Sequence, residues 1–467
     1  MKILLAASEF EPLTGDGAIG RSVAVLAREL VGAGHDVSVV IPGYRQARVQ
    51  AKARKTRVKF PVAVGGMRCV CEIAEGILDK GLQVFFTVRD EFFDRSGIYG
   101  NESGDYEDNA ARFIFFSKSV VELARRMEPT PEIVHCHGWQ AALVPVFARE
   151  AGLPGGIVLS PQGLEFQGNF WSYDFGLTNL PGSYFSAAGL EFYGSMNFLK
   201  GGILFADAVV MRGDRDVAAV QTPRYGCGLE NVLASNGEKL WGISSGEELE
   251  GWEPLEDKAL AKPFSPGDST GRLVNRADEI FGWTTERVGP DILIIADAGR
   301  GGNRLIVEAM DLLRLFGARV GILGKCEAWP GLVAAQRKHA GSFSIVEDFD
   351  EGMARKALAG VDIFLVPGEA VPHSPWMSRA LRYGAVPVAR FCEGIQQWVR
   401  MWDGRQGTGF LFFEDSAKAL TDIVRATWEI LSYAGAELRT QMVALSHELG
   451  NSAELYSALY SEVVSKR

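Results

Sequence analysis

The sequence has no CxxC pair. Its six cysteines, Cys69, Cys71, Cys136, Cys227, Cys326 and Cys392, are scattered, which excludes both a thiolate zinc frame and a disulfide scaffold. It also has no HExxH run, no Ser–His–Asp pattern and no Cys/His metal spacing, so no metal and no cofactor are expected. No apolar run is long enough to span a bilayer, and no leader-like stretch precedes the first strand, MKILLAAS; a cytoplasmic setting without a membrane partner is expected. Positive charge is in deficit, with 48 Lys and Arg against 58 Asp and Glu and a net charge of −10. That balance argues against broad binding to nucleic acid or an anionic membrane.

What is present is ordinary for a soluble globular protein: 47% apolar and 23% charged residues over 467 positions, enough for two or three domains. Cys69 and Cys71 lie two apart in a strand-like stretch, on one face, as small apolar residues. Apolar β-rich runs at 3–8, 36–42, 82–88, 132–137, 156–161 and 207–212 alternate with helical patterns such as 20–33, 109–126 and 139–151. Continuous apolar strands separated by helices predict a parallel sheet covered on both faces. Residues 246–273, rich in Glu, Pro and Gly, read as a connection. A second series follows, with strands at 291–298, 318–324, 343–348, 361–368, 385–390 and 409–414. The fold class is therefore α/β: two doubly wound Rossmann-like domains, at 1–245 and 274–440, facing a cleft at the carboxyl ends of their strands. Helices at 441–467 close the chain and are expected to cross back to the first domain.

Residues 15–20, GDGAIG, spell G-x-G-x-x-G. In a dinucleotide fold that fingerprint opens directly off the first strand, and an acid ends the second strand. Here EFEPLT separates strand from glycines, and the second strand ends in Ile41-Pro42-Gly43. A glycine-rich loop without a dinucleotide is the better reading.

Several stretches together resemble the bacterial glycogen (starch) synthase family, retaining GT-B transferases that use ADP-glucose to extend an α-1,4-glucan. They are MKILLAASEFEPL, GIYGNESGDYEDNAARFIFFSK (97–118), EIVHCHGWQAALVPV (132–146), GLEFYGSMNFLKGGILFADAVV (189–210), QTPRYGCGLENVL (221–233), GVDIFLVPG (360–368), RALRYGAVPVAR (379–390) and GTGFLFFED (407–415). The resemblance covers nearly the whole chain in the correct order, and it implies a GT-B fold.

The family's chemistry is not carried over with its frame. Glucosyl transfer from a nucleotide diphosphate needs donors where charge builds on the leaving phosphates, and losing one such donor typically costs about 10²–10³ in turnover. The family's KTGGL loop falls on residues 15–19, with Gly15 at the lysine, Asp16 beside it and Gly17 retained. Its R-x-x-x-x-K loop puts Ala296 and Gly301 at the two cations, with Arg300 one residue off register. HDWH reads His137-Gly138-Trp139-Gln140, and the histidine of IHN is Gln162. A serine–proline turn reads Gly213-Asp214, and NGID reads Ser245-Gly246-Glu247-Glu248. FEPCGLTQ reads Ala370 through Met377, with Val371 for its glutamate and Met377 for its glutamine, and Pro375 removes an N–H. TGGL reads Cys392-Glu393-Gly394-Ile395. Asp16, Asp297 and Glu393 then stand where phosphates would sit, which disfavours ADP-glucose.

Residues 165–198 are dense in aromatics, most of them expected to pack. Tyr193, Asn197 and Lys200 match a family stretch near the acceptor and are the preferred residual ligand contacts, followed by Trp139, with His137, Gly17 and Arg300 as further candidates. His135 and His137 are assigned to opposite faces of their strand, so shared metal binding is not expected. His373 reads as a solvated loop histidine. The resemblance and the losses together imply a degenerate, pseudoenzyme-like member with no catalytic residue. It would take α-glucan as ligand and an active glycogen synthase, or another glycogen enzyme, as partner. An active glucosyltransferase with a remodelled donor site, and an unrelated binding module on a GT-B scaffold, stay open beside it.

Overall fold

The computed structural model describes residues 1–467 except 16, 79–80, 244–248, 250, 266–269, 326–329, 372–373, 393–394 and 451; side chains are also left undescribed at 214–216, 270, 397 and 448–450. Asp16, Cys326, His373, Glu393 and the turn at 245–248 therefore lie outside the described residues. The chain divides into two compact units, Met1–Glu247 with Asn451–Arg467, and Glu248–Gly450.

Unit 1 carries a nine-stranded sheet. Its strands are β1 (Lys2–Ala6), β2 (Asp36–Pro42), β3 (Arg54–Val64), β4 (Met67–Ile77), β5 (Gln83–Val88), β6 (Ile133–His137), β7 (Gly156–Ser160), β8 (Ala208–Met211) and β9 (Leu240–Gly242). They lie in the order β9-β8-β7-β6-β1-β2-β5-β4-β3. β1 pairs in parallel with β2 on one side and β6 on the other, so the winding reverses between β1 and β6. In such a sheet that reversal opens a crevice beyond the strands' carboxyl ends. The central strands are buried on both faces, as their unbroken apolar runs require. β3 and β4 instead form an antiparallel hairpin at the sheet edge.

Helix α1 (Ala18–Gly32) turns Val23, Ala24, Ala27 and Leu30 onto this sheet. It ends where Gly34, at φ +87°, lets the His35 and Gly34 amides return to the carbonyls of Leu30 and Val31 at 3.0 Å each. A three-stranded sheet of Asn169–Phe170, Ser195–Asn197 and Glu191–Phe192 leads into α2 (Phe198–Phe205).

Unit 2 carries β10 (Asp291–Ile295), β11 (Arg319–Leu323), β12 (Phe343–Val346), β13 (Ile363–Val366), β14 (Val386–Arg390) and β15 (Phe410–Phe412), with helices α3 (Asn303–Arg314), α4 (Trp376–Tyr383) and α5 (Ala417–Gly450). The sheet order is β12-β11-β10-β13-β14-β15, and its paired strands run parallel. The reversal falls between β10 and β13. The connecting segment is not a bare linker: Trp252, Leu260 and Phe264 are buried in the unit 2 core. Residues 441–450 stay with unit 2 as the end of α5, and α6 (Ser452–Ser465) belongs to unit 1. There Ser457 Oγ lies 2.8 Å from His35 Nε2, and Tyr460 OH lies 2.7 Å from His135 Nδ1. No helix is long and apolar enough to cross a membrane among the described residues.

Candidate active sites at the two strand reversals

In unit 1 the loop after β1 carries a buried carboxyl. Glu9 accepts a hydrogen bond from the Tyr99 hydroxyl, which lies 2.8 Å from Ser8 Oγ. Burial raises the Glu9 carboxyl above its usual range, against the opposing pull of the Tyr99 bond. Gly17 starts α1 directly over this group; a Cβ there would lie 1.8 Å from Glu9 Oε2. Glycine is needed for that close approach. Gly15 has φ +86° with open space around it, so an L side chain there would meet room but a strained backbone.

The end of β6 differs from the sequence expectation. His135 and His137 are two residues apart, so strand alternation puts them on one face and not on opposite ones. Their rings lie 4.1 Å apart. His135 is held between Tyr460 OH at 2.7 Å and Ser160 Oγ at 2.8 Å. His137 Nδ1 lies 3.2 Å from Gln162 Nε2, which lies 3.2 Å from Ser22 Oγ as well, and Gln162 Oε1 accepts from Arg212 at 3.3 Å. Burial lowers the His137 pKa to about 3 and pushes His135 down too. Both rings are neutral at neutral pH, and such an imidazole is a poor proton acceptor. Gly138 has φ +73°, and a Cβ there would meet Gln140 Oε1 at 2.5 Å and Ile19 Cδ1 at 3.1 Å. A side chain at this position would have to push aside the ends of Gln140 and Ile19.

The acceptor-side candidates separate by exposure. Trp139 is half-buried among Phe113, Phe170 and Phe198, with centroids 5.0, 5.6 and 6.0 Å away. Asn197 caps α2, accepting from the Lys200 amide at 2.7 Å and donating to Gln167 and Asn169 at 2.7 Å each. The Lys200 ammonium is buried and donates to the carbonyls of Ala187, Gly189 and Glu191 at 2.7, 2.9 and 2.6 Å; burial lowers its pKa. Asn197 and Lys200 thus spend their polar groups on the protein itself. Tyr193 is 85% exposed, at the tip between the short strands Glu191–Phe192 and Ser195–Asn197. Because Phe170 pairs with Met196, the adjoining Trp171 stands at that same end of the small sheet. Trp171 and Tyr173 are also exposed, with rings 4.3 Å apart.

In unit 2 the reversal between β10 and β13 opens a crevice of about 390 Å³ that includes Ala296, Arg300, Gly301, Lys325 and Pro367 in its lining. A neighbouring space of about 430 Å³ shares Ala296 and Lys325 and adds Asp297, Glu347 and Asp348. Over the reversal, Gly299–Arg300 pairs antiparallel with Glu369–Ala370, and the Val371 amide donates to the Ala298 carbonyl at 3.0 Å. The loops after β10 and β13 are thus tied into one ribbon. Gly302 and Gly368 allow it: a Cβ on either would fall within 2.7 Å of the opposite loop's backbone. Gly301 has φ +73°. Asp297 accepts from the Trp376 indole at 2.8 Å, and Met377 is buried in the core. Among the described residues no group of His, Cys, Asp and Glu is placed to hold a metal ion.

Residues 2–235 match the family model described as the starch synthase catalytic domain. The whole chain aligns at 32% identity with 99% of a glycogen synthase from Koribacter versatilis. The chain belongs to the glycogen synthase family. Over 94% of its length it is also 33% identical to 92% of glycogen synthase 2 from Geobacter sulfurreducens. Its fold matches, with a TM-score of 0.74 and 22% identity over 100% of this chain and 99% of the other, the catalytic domain of starch synthase IV from Arabidopsis thaliana, a structure bound to ADP and acarbose. The two-domain Rossmann-like GT-B architecture follows from that likeness. Sequence reasoning missed the Glu9–Tyr99 pair, whose partners are ninety residues apart; the one signal was an acid just past an apolar first strand.

Proposed function

We propose that this glycogen synthase relative does not turn over ADP-glucose, and that it binds α-glucan and acts beside an active glycogen enzyme. One observation carries the reading: Gly15, Gly138 and Gly301, which stand where the family has a lysine, an acid and a lysine, all have left-handed backbone, at φ +86°, +73° and +73°. Restoring a side chain at any of them meets backbone strain. At Gly138 it also meets filled space. The exposed rings of Tyr193, Trp171 and Tyr173 supply flat apolar faces of the kind on which a sugar stacks.

The competing reading is an active transferase with a remodelled donor site, and it has support in Arg300 and Lys325, two cations that line the unit 2 crevice. Calorimetry with ADP and ADP-glucose, with and without Mg²⁺, separates the two. The proposal expects no heat of binding; micromolar binding with glucose transfer to a glucan primer overturns it. Glycogen co-sedimentation then tests the ligand, with Tyr193→Ala and Trp171→Ala expected to weaken it.

A further inference from the structure

The charge of unit 1 is distributed unevenly. Between Val37 and Cys71 the sequence holds eight cations and no acid. Setting this segment aside leaves the rest of a chain of net charge −10 at −18. The structure gathers most of these cations on the edge hairpin β3–β4 and the turn leading into it. Arg45 and Arg48 are paired with Asp94 and Asp90, and Lys55 with Glu72. Lys52, Arg54, Arg57, Lys59 and Arg68 are exposed, and none of them is in an ion pair among the described residues, although Arg54 and Lys59 stand opposite Glu75 and Glu72 in the register. The nearby acids are already engaged: Glu72 by Lys55 at 2.8 Å, Glu75 by Gln83 at 3.1 Å, and Glu122 by Arg125 and Arg126.

The hairpin's two faces differ in kind. Phe60, Val62, Val64, Cys69 and Cys71 are buried against the unit. The outward residues alternate charge with aliphatic surface: Lys59 stands opposite Glu72, Pro61 opposite Val70, and Ala63 opposite Arg68. Val58, Met67 and Val70 are among the exposed large apolar side chains.

Lysines on an edge strand often serve only to stop strand-to-strand aggregation. Here that task is already met by the register irregularity between Lys55 and Lys59 and by Pro61, which offers no amide to a new strand. Arg68 lies on β4, one strand in from the edge, where edge protection gives it no purpose.

We infer that the outer face of the β3–β4 hairpin is a docking surface for an acidic, extended polypeptide segment of a partner protein. Charge complementarity selects an acid-rich ligand, and the aliphatic side chains between the cations select one that also carries apolar residues. A peptide engages the hairpin alone. A DNA duplex or an anionic bilayer presents a continuous negative surface that also faces the acidic remainder of the chain, which disfavours both. The contact is salt-sensitive, since exposed charges are screened beyond about 8 Å at physiological ionic strength.

The test uses the full chain and a fluorescein-labelled peptide of Glu and Leu, with a Gln/Leu peptide as neutral control, read by anisotropy. The wild type is expected to bind the Glu/Leu peptide, more weakly as salt rises, and to ignore the neutral one. The variant R54E/R57E/K59E/R68E is expected to lose roughly tenfold or more in affinity. Its residues are exposed, so its melting temperature should match the wild type's; the glutamine set R54Q/R57Q/K59Q/R68Q, expected to bind between the two, covers the case where it does not. Equal peptide binding by wild type and both variants overturns the inference. So does tighter binding of a DNA duplex or of phosphatidylserine vesicles than of the peptide. Absence of peptide binding by the wild type, with aggregation of the glutamine set, assigns the cations to edge protection and overturns it as well.

Discussion

The two units wind their parallel strands in the same order, yet the places beyond their strand reversals differ in kind. In unit 1 the place beyond β1 and β6 is filled: Glu9 and Tyr99 are bonded to each other, His137 leans on Gln162, and Gln140 and Ile19 occupy the room beside Gly138. In unit 2 the place beyond β10 and β13 stays open, at about 390 Å³, with Arg300 and Lys325 in its lining. One place is occupied by the unit's own side chains; the other keeps open space. Under the proposed function, a small molecule would find room in unit 2, and a glucan would meet the exposed rings of unit 1.

The largest expected effect separates the units by stability. Trp252 is 1% exposed and packs edge-on against Trp376 and Tyr383, with the guanidinium groups of Arg355 and Arg379 over its ring. Trp252→Ala should cost unit 2 about 3–5 kcal/mol, while hydrogen exchange in β1 and β6 stays unchanged. Equal loss of protection in both units would show that they unfold as one.

Acid should act on unit 1 through its histidine pair. His137 has a folded-state pKa of about 3 against an ordinary 6.5, so the unfolded chain binds more protons between those values. Stability is therefore complete above about pH 6.5 and falls as the pH drops toward 3, by up to about 1.4 kcal/mol per pH unit for each such group. Urea midpoints across that window should flatten in His137→Gln.

Next comes Lys200→Met, which leaves three backbone carbonyls, the buried one of Gly189 among them, without their donor; a loss of about 1–3 kcal/mol in urea unfolding is expected. Gly15→Lys, which would restore a lysine under the proposed reading, should cost about 1–2 kcal/mol through its left-handed backbone. It should also leave glucose transfer absent in a primer assay. Tyr193→Ala should move stability by no more than about 0.5 kcal/mol while lowering glycogen co-sedimentation, which sets ligand surface apart from core.

The parallel strands were legible because a strand buried on both faces must be apolar throughout, and every one predicted has its counterpart within a few residues. The β3–β4 hairpin was legible only through Cys69 and Cys71, because its outer face is charged and its bulge breaks the alternation. Within the candidate site, the sign of φ at Gly15, Gly138 and Gly301 could not be read, since glycine adopts either. Nor did the sequence separate Tyr193 from Asn197 and Lys200. All three match one family stretch, and only the carbonyls of Ala187, Gly189 and Glu191, folded back over Lys200, reveal which of them is occupied.

Helix α6 has a consequence for the order in which the molecule is made. It carries Tyr460 to His135 and Ser457 to His35, and Ser452 donates to Glu29. A ribosome releases residues 452–465 after all of unit 2, so the unit begun first is the one completed last. Until then the β6 histidine lacks its tyrosine, and Ala453, Leu459 and Val463, which are buried in the finished protein, are not there to cover the sheet. During synthesis unit 1 must wait with that flank open, a stage at which a nascent-chain chaperone would find apolar surface to hold.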